Sequence, residues 1–196
     1  MNPSGYAPEV TIRNSKIEGV QFSFKGSSNI TVSNSVLMQM AIYGLDNSKI
    51  WLVNSTHYYG TCLLSGSDSK QYVCWYLDVH VVDSLGQDVP SANVTATYPN
   101  ATLAELKLTD LQGWTRLILI EKMMNVTGEY PIGEHTIEAT YESYSADTSV
   151  TMTDNRQITL TLQDFVIPEF LSQIVMPLFM IVTLLLVIAY RKMLHS

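Results

Sequence analysis

Val10-Thr11-Ile12-Arg13-Asn14-Ser15 returns twenty residues later as Ile30-Thr31-Val32-Ser33-Asn34-Ser35, and twenty after that as Ile50-Trp51-Leu52-Val53-Asn54-Ser55. Each copy keeps one order: apolar, variable, apolar, variable, Asn, Ser. Between the copies Phe22, Ile42 and Cys62 fall in one column of the repeat, and Gly26, Asp46 and Gly66 in another. A fixed period near twenty with strand alternation and turn residues marks a solenoid, because no single turn can bury its own apolar face. Leucine-rich repeats share the period but need several Leu per turn, whereas Ile, Val and Ser dominate here. The period predicts a short parallel β-helix over residues 1–72, with Ile12, Val32 and Leu52 stacked in its bore. Asn14, Asn34 and Asn54 then form a hydrogen-bonded ladder at one corner, satisfying backbone groups at the bend. The first turn carries no cap, so further turns are expected ahead of it.

The repeat resembles the right-handed β-helix repeats of pectin-lyase-like and NosD-like surface proteins over residues 9 to about 72. Beyond Tyr72 the period stops, and seven alternating runs follow: 77–82, 92–98, 103–109, 115–120, 135–141, 149–152 and 158–162. Short strands at this spacing, divided by Gly, Pro, Asn and Asp, predict an antiparallel β-sandwich over residues 73–164. Asp83-Ser84-Leu85-Gly86, then Pro90-Ser91-Ala92-Asn93-Val94 and Thr109-Asp110-Leu111-Gln112-Gly113, closely resemble the carboxypeptidase-regulatory-like, transthyretin-like sandwich. That resemblance implies an Ig-like/transthyretin-like fold and no particular activity.

Of 196 residues 46% are hydrophobic and 15% charged, with a net charge of -7, which excludes a disordered chain and argues against nucleic acid as a partner. The apolar excess has a local source: residues 171–190, LSQIVMPLFMIVTLLLVIAY, carry no charge. Roughly 20 apolar residues of helix cross a bilayer core, so this run reads as one transmembrane helix. Arg191 and Lys192 after it place residues 191–196 in the cytoplasm and the bulk of the chain outside. Ahead of the run, residues 165–170 form a linker. Its Pro168-Glu169-Phe170 resembles the PEF-CTERM sorting signal of archaeal surface proteins, which implies an archaeosortase as partner, although Leu171-Ser172 replaces the family's usual Pro-Ser.

Five N-x-S/T sequons, at Asn29, Asn54, Asn93, Asn100 and Asn125, are glycosylation candidates and favour an exterior compartment. Cys62 and Cys74 are a disulfide candidate, a bridge across a short loop being worth about 3 kcal/mol; two buried free thiols are the alternative. His57, His80, His135 and His195 show no metal spacing, and no Ser-His-Asp order, P-loop or dinucleotide motif occurs. Glu18, Asp46 and Asp68 lie near comparable turns without forming a row. Tyr58, Tyr59, Trp75 and Tyr76 cluster at the junction between repeat and sandwich. They are glycan-stacking candidates, although the sequence favours the alternative that they are an apolar cap on the solenoid.

These readings combine into an all-β chain plus one transmembrane helix: a membrane-anchored extracellular surface protein with a structural, adhesion or glycan-binding role. It is not expected to be an enzyme or to hold a cofactor. Its expected partners are the lipid bilayer and surface glycans or other envelope proteins. The alternative is the C-terminal part of a β-helix carbohydrate-active enzyme whose catalytic turns lie outside this chain.

Overall fold

The computed structural model describes residues 9–24, 28–38, 41–45, 47–58, 61–167, 180–183 and 190. The chain divides into two compact units, Met1–Phe165 and Val166–Ser196.

The first part of the larger unit is a parallel coil of three strands per turn. Numbered in chain order, the strands are β1 (Glu9–Arg13), β2 (Lys16–Glu18), β3 (Gln21–Phe24), β4 (Asn29–Ser33), β5 (Val36–Met38), β6 (Ala41–Leu45), β7 (Lys49–Val53), β8 (Thr56–Tyr58) and β9 (Thr61–Ser65). Strands β1, β4 and β7 pair in parallel, as do β2, β5, β8 and β3, β6, β9. Every one of these registers is offset by twenty residues, so Ile12 stands on Val32 and Val32 on Leu52. Ile30, Val32, Leu37, Ile50 and Leu52 fill the interior, with Ile12, Ile17 and Leu64 packed against them. At about 1.5–3 kcal/mol for each fully buried aliphatic side chain, this bore is the main support of the coil.

The corner after each long strand is built by the Asn-Ser pair. Asn14, Asn34 and Asn54 adopt left-handed backbone angles (φ 51°, 50° and 45°), a conformation that Asn tolerates better than most residues. Asn54 Nδ2 donates to Asn34 Oδ1 at 2.8 Å. One step on, Ser15 N donates to Ser35 Oγ (3.1 Å) and Ser35 N to Ser55 Oγ (3.2 Å), while the Ser35 and Ser55 hydroxyls turn back onto the carbonyls of Ser33 and Val53. The buried corner is thus satisfied by a second, hydroxyl ladder running inside the first.

Eight further strands complete the unit: β10 (Lys70–Val82), β11 (Asn93–Thr97), β12 (Leu103–Leu108), β13 (Trp114–Asn125), β14 (Gly128–Pro131), β15 (Glu134–Tyr141), β16 (Tyr144–Thr151) and β17 (Arg156–Thr161). They form two sheets, β17-β10-β13-β14 and β12-β11-β15-β16. All seven expected sandwich strands are present, with β14 added as a hairpin on β13. The sheet is not wholly antiparallel, because β10 and β17 pair in parallel. The boundary expected at residues 72/73 falls inside β10. Its first half, Lys70 to Cys74, is a fourth rung on β7, and its second half pairs with β17. One seven-stranded sheet therefore passes unbroken from coil to sandwich.

Two Asp-x-x-Gly turns organise the sandwich. Asp83 Oδ1 accepts from the backbone of Leu85 and Gln87, and Asp110 Oδ1 from Gln112 and Trp114. Gly113 closes the second turn at φ +72°, where an added Cβ would lie 2.6 Å from the Val81 carbonyl oxygen. Only glycine fits both constraints.

Two expectations are corrected here. No helix among the described residues is long and apolar enough to cross a membrane, so the expected transmembrane helix at 171–190, the single-pass cell-membrane localisation and the cytoplasmic tail at 191–196 are not supported. Apolar composition measures a preference for leaving water and does not by itself specify a continuous helix. Residues 168–179, 184–189 and 191–196, which include Pro168, Glu169 and Phe170, lie outside the described residues. The disulfide is the second correction: Cys74 is a free, fully buried thiol. Its strand sits in the β7–β10 wall, whereas Cys62 belongs to β9 in a different sheet.

Candidate functional site

Where the coil's wall becomes the sandwich, apolar and aromatic side chains collect. Val53, Cys74 and Ile120 are buried, with Trp51, Tyr72, Tyr76, Tyr98 and Ile132 packed against them. The register explains the meeting: Tyr72 lies between Trp51 on β7 and Met123 on β13, and Met123 is opposite Tyr130 on β14. A β-bulge at Val73/Cys74 shifts the register and interrupts the alternation of β10, which resumes from Leu77. Trp51 stacks on Tyr72 with ring centroids 4.2 Å apart, and its Nε1 donates to Asn29 Oδ1 at 3.1 Å.

Beside this stack a pocket of about 480 Å³ opens to solvent. Tyr72, Tyr98, Ile120, Met123 and Ile132 form its walls, and the Pro99-Asn100 turn with Thr102 forms its rim. Asn100 Oδ1 accepts from both the Thr102 amide (3.1 Å) and the Thr102 hydroxyl (2.7 Å), which fixes that rim. Burial pushes the Tyr72 and Tyr98 hydroxyls up from their ordinary value, with Cys74 adding a smaller push, so both stay neutral donors. Cys74 itself is pushed up to about 12, by burial first and by the Glu105 carboxylate second. A thiol held neutral in this way is no nucleophile.

The residues singled out from the sequence are dispersed. Trp75 Nε1 donates to Glu121 Oε2 at 2.6 Å, and Tyr76 carries the Arg116 guanidinium 4.8 Å above its ring. Both side chains are half-buried and engaged, and neither lines the pocket. Tyr59 and the side chain of Tyr58 lie outside the described residues. Among the sequons, Asn54 is tied into the corner ladder, donating to Asn34 and accepting from Asn155 Nδ2 at 2.7 Å. Asn29 accepts from Trp51, and Asn93 lies exposed on β11. Asn100 and Asn125 head exposed turns in which the threonine two residues on donates back to the asparagine oxygen. Tyr98, Met123, Ile120 and Ile132 were not marked as a site by the sequence. The available signal was the Tyr98-Pro99-Asn100 turn, an aromatic at the end of an alternating strand followed at once by a chain reversal.

Other polar clusters are structural in character. Arg116 grips Asp78 through two hydrogen bonds (2.6 and 2.8 Å), which hold the Asp78 carboxyl below the usual carboxylate range. His80 stacks flat on Trp114 and meets Asp88 at 2.7 Å. Among the described residues no group of three or more His, Cys, Asp or Glu is placed to hold a metal ion.

No protein-family model matches the chain, and no curated protein is similar to it. The resemblances to pectin-lyase-like and NosD-like repeats, to the carboxypeptidase-regulatory-like sandwich and to an archaeal sorting signal therefore gain no support from these comparisons. Among solved structures, the chain is similar to the Bacillus anthracis TIE protein at 18% identity and a TM-score of 0.36, over 53% of this chain and 19% of that one. It is also similar to S.CueP at 16% identity and a TM-score of 0.31, over 44% of this chain and 61% of that one. The chain thus spans less than two thirds of either structure, and neither likeness bears on fold or function.

Proposed function

We propose that the chain is a non-catalytic recognition module that takes a saccharide-sized ligand in the pocket beside Tyr72 and Tyr98. The observation that carries this reading is the pocket itself: about 480 Å³, walled by two tyrosines and aliphatic side chains, with Asn100 and Thr102 at the rim. That volume lies within the range of small-molecule sites, which are mainly apolar with a few placed polar groups. Tyrosine suits sugars because one face is apolar while the hydroxyl donates and accepts. The neighbouring Trp51–Tyr72 stack holds one wall rigid, so little side-chain freedom is lost on binding.

The test is titration of the chain with a panel of neutral and acidic oligosaccharides, followed by calorimetry and by tyrosine and tryptophan fluorescence. Saturable binding should appear for at least one sugar, weaken at least tenfold in Tyr98→Ala and survive in Tyr98→Phe. Absence of saturation by every sugar at about 1 mM, a free energy near -4 kcal/mol, would refute the reading.

A further inference from the structure

Strand β12 is built inside out. It is the edge strand of its sheet, and its register on β11 sets Glu105 opposite Ala96 and Lys107 opposite Val94, both fully buried. The two charged residues therefore share the inner face. There Glu105 accepts from the Ile118 amide, Lys107 Nζ donates to the Arg116 carbonyl at 2.6 Å, and the two side chains meet at 2.8 Å. These contacts cover backbone groups of β13 that no strand pairs. The leucines face outward instead. Leu103, Leu106 and Leu108 are exposed, and Leu111 in the following turn is 82% exposed. Such a strip on an edge strand is what isolated proteins avoid and what interfaces use.

The backbone of the same strand is open. Thr109 N donates to the Ala92 carbonyl, so Glu105 and Lys107 of β12 turn their N–H and C=O towards β11. The corresponding groups of Leu106 and Leu108 then lie on the outer edge, beside the exposed side chains. The sequence is also self-complementary about Leu106. When two copies of β12 run antiparallel with Leu106 against the partner's Leu106, Glu105 stands opposite the partner's Lys107 and Lys107 opposite the partner's Glu105.

We propose that β12 is a self-association edge: two copies of the chain pair their β12 strands antiparallel about a two-fold axis at Leu106, joining two four-stranded sheets into one. The interface is isologous, so it closes at two copies rather than propagating. Opposite charges across the seam set the register, and on the outer face Leu106 covers the partner's Leu106 while Leu108 covers the partner's Ala104.

Sedimentation of the full chain tests this, with the variants Leu106→Lys, Glu105→Lys and Lys107→Glu, each checked by its melting curve. Wild type should dimerise and Leu106→Lys should be monomeric, since it sets two ammonium groups against each other at the two-fold axis. Glu105→Lys and Lys107→Glu should each lose self-association at least tenfold, and a one-to-one mixture of the two should regain it as a heterodimer. A wild-type chain that stays monomeric at about 100 µM overturns the proposal. So does association that Leu106→Lys leaves unchanged, or a mixture that associates no better than its components.

Discussion

His135 offers a core substitution expected to stabilise. It is fully buried on β15, its ring 5.5 Å from that of Tyr98, and neither ring nitrogen has a hydrogen-bond partner of good geometry. Burial pulls its pKa below the ordinary 6.5, and the Val150 backbone opposite it in the register offsets only part of that shift. An unsatisfied buried polar group costs about 1–3 kcal/mol. His135→Phe removes that burden and keeps a ring against Tyr98, while the slightly larger side chain returns about 1 kcal/mol of overpacking. The net expectation is stabilisation by about 1 kcal/mol at pH 7.5, a rise of roughly 2–4 °C in Tm for a unit of this size. Acid enlarges the difference. The folded imidazole has the lower pKa, so its contribution is fully present above 6.5, where the unfolded chain is also neutral. It is lost as the pH falls towards the folded value, by at most about 1.4 kcal/mol per pH unit. Carboxylates such as Asp78 titrate alike in both proteins and cancel in the comparison. Urea melts at pH 7.5 and 5.0 decide the matter. Destabilisation of His135→Phe by more than about 1 kcal/mol at pH 7.5 would show that the imidazole makes a hydrogen bond worth keeping. Parallel pH profiles would show that His135 is not the group that titrates.

Four other outcomes follow from the geometry. Asn155→Ala removes the hydrogen bond to Asn54 and the acceptor for the Tyr76 amide, and should lower stability by about 1–2 kcal/mol in a urea melt. At Asn34, Gly keeps the left-handed backbone but loses the ladder, whereas Ala loses both; chemical denaturation should place Asn34→Ala below Asn34→Gly by about 1 kcal/mol. Gly113→Ala drives a methyl into the Val81 carbonyl at a positive φ, and a loss of at least about 2 kcal/mol, read from Tm, is expected. Val32→Asp buries an unpaired carboxylate in the bore and should cost several kcal/mol, about 3–5. Because β10 is shared, the fluorescence of Trp51 in the coil and Trp114 in the sandwich should report its unfolding in a single transition; two separated transitions would show independent domains.

The coil was legible because its information is repeated: residues twenty apart in sequence are the residues that pair, as Ile12, Val32 and Leu52 do. The fourth rung was hidden by a slip of one. Lys70 pairs with Lys49, twenty-one residues away, and no Asn-Ser follows Cys74. Asn155 from the β16–β17 turn supplies the missing ladder side chain, which no local pattern announces. The Asp-x-x-Gly turns were readable because an aspartate accepting from its own following amides is a local device. The pocket was not, since Tyr72, Tyr98, Met123 and Ile132 are brought together by strand pairing over long separations. LAELKL in β12 shows alternation but not which half faces in. The apolar run at 171–190 has the length and composition of a span, yet no helix among the described residues is long and apolar enough to cross a membrane.

The passage of β10 from coil into sandwich has a mechanical consequence. Along one direction, its first half is held by β7 and its second half by β17, with β13 bonded along nearly its whole length. A pull between the coil and the end of β17 acts along the parallel ladder from Leu77–Arg156 to Val82–Thr161. Its six residue pairs are then loaded side by side in shear, so they must yield together rather than unzip in turn. Within the unit Met1–Phe165, the junction between coil and sandwich is thus the stretch through which tension is carried.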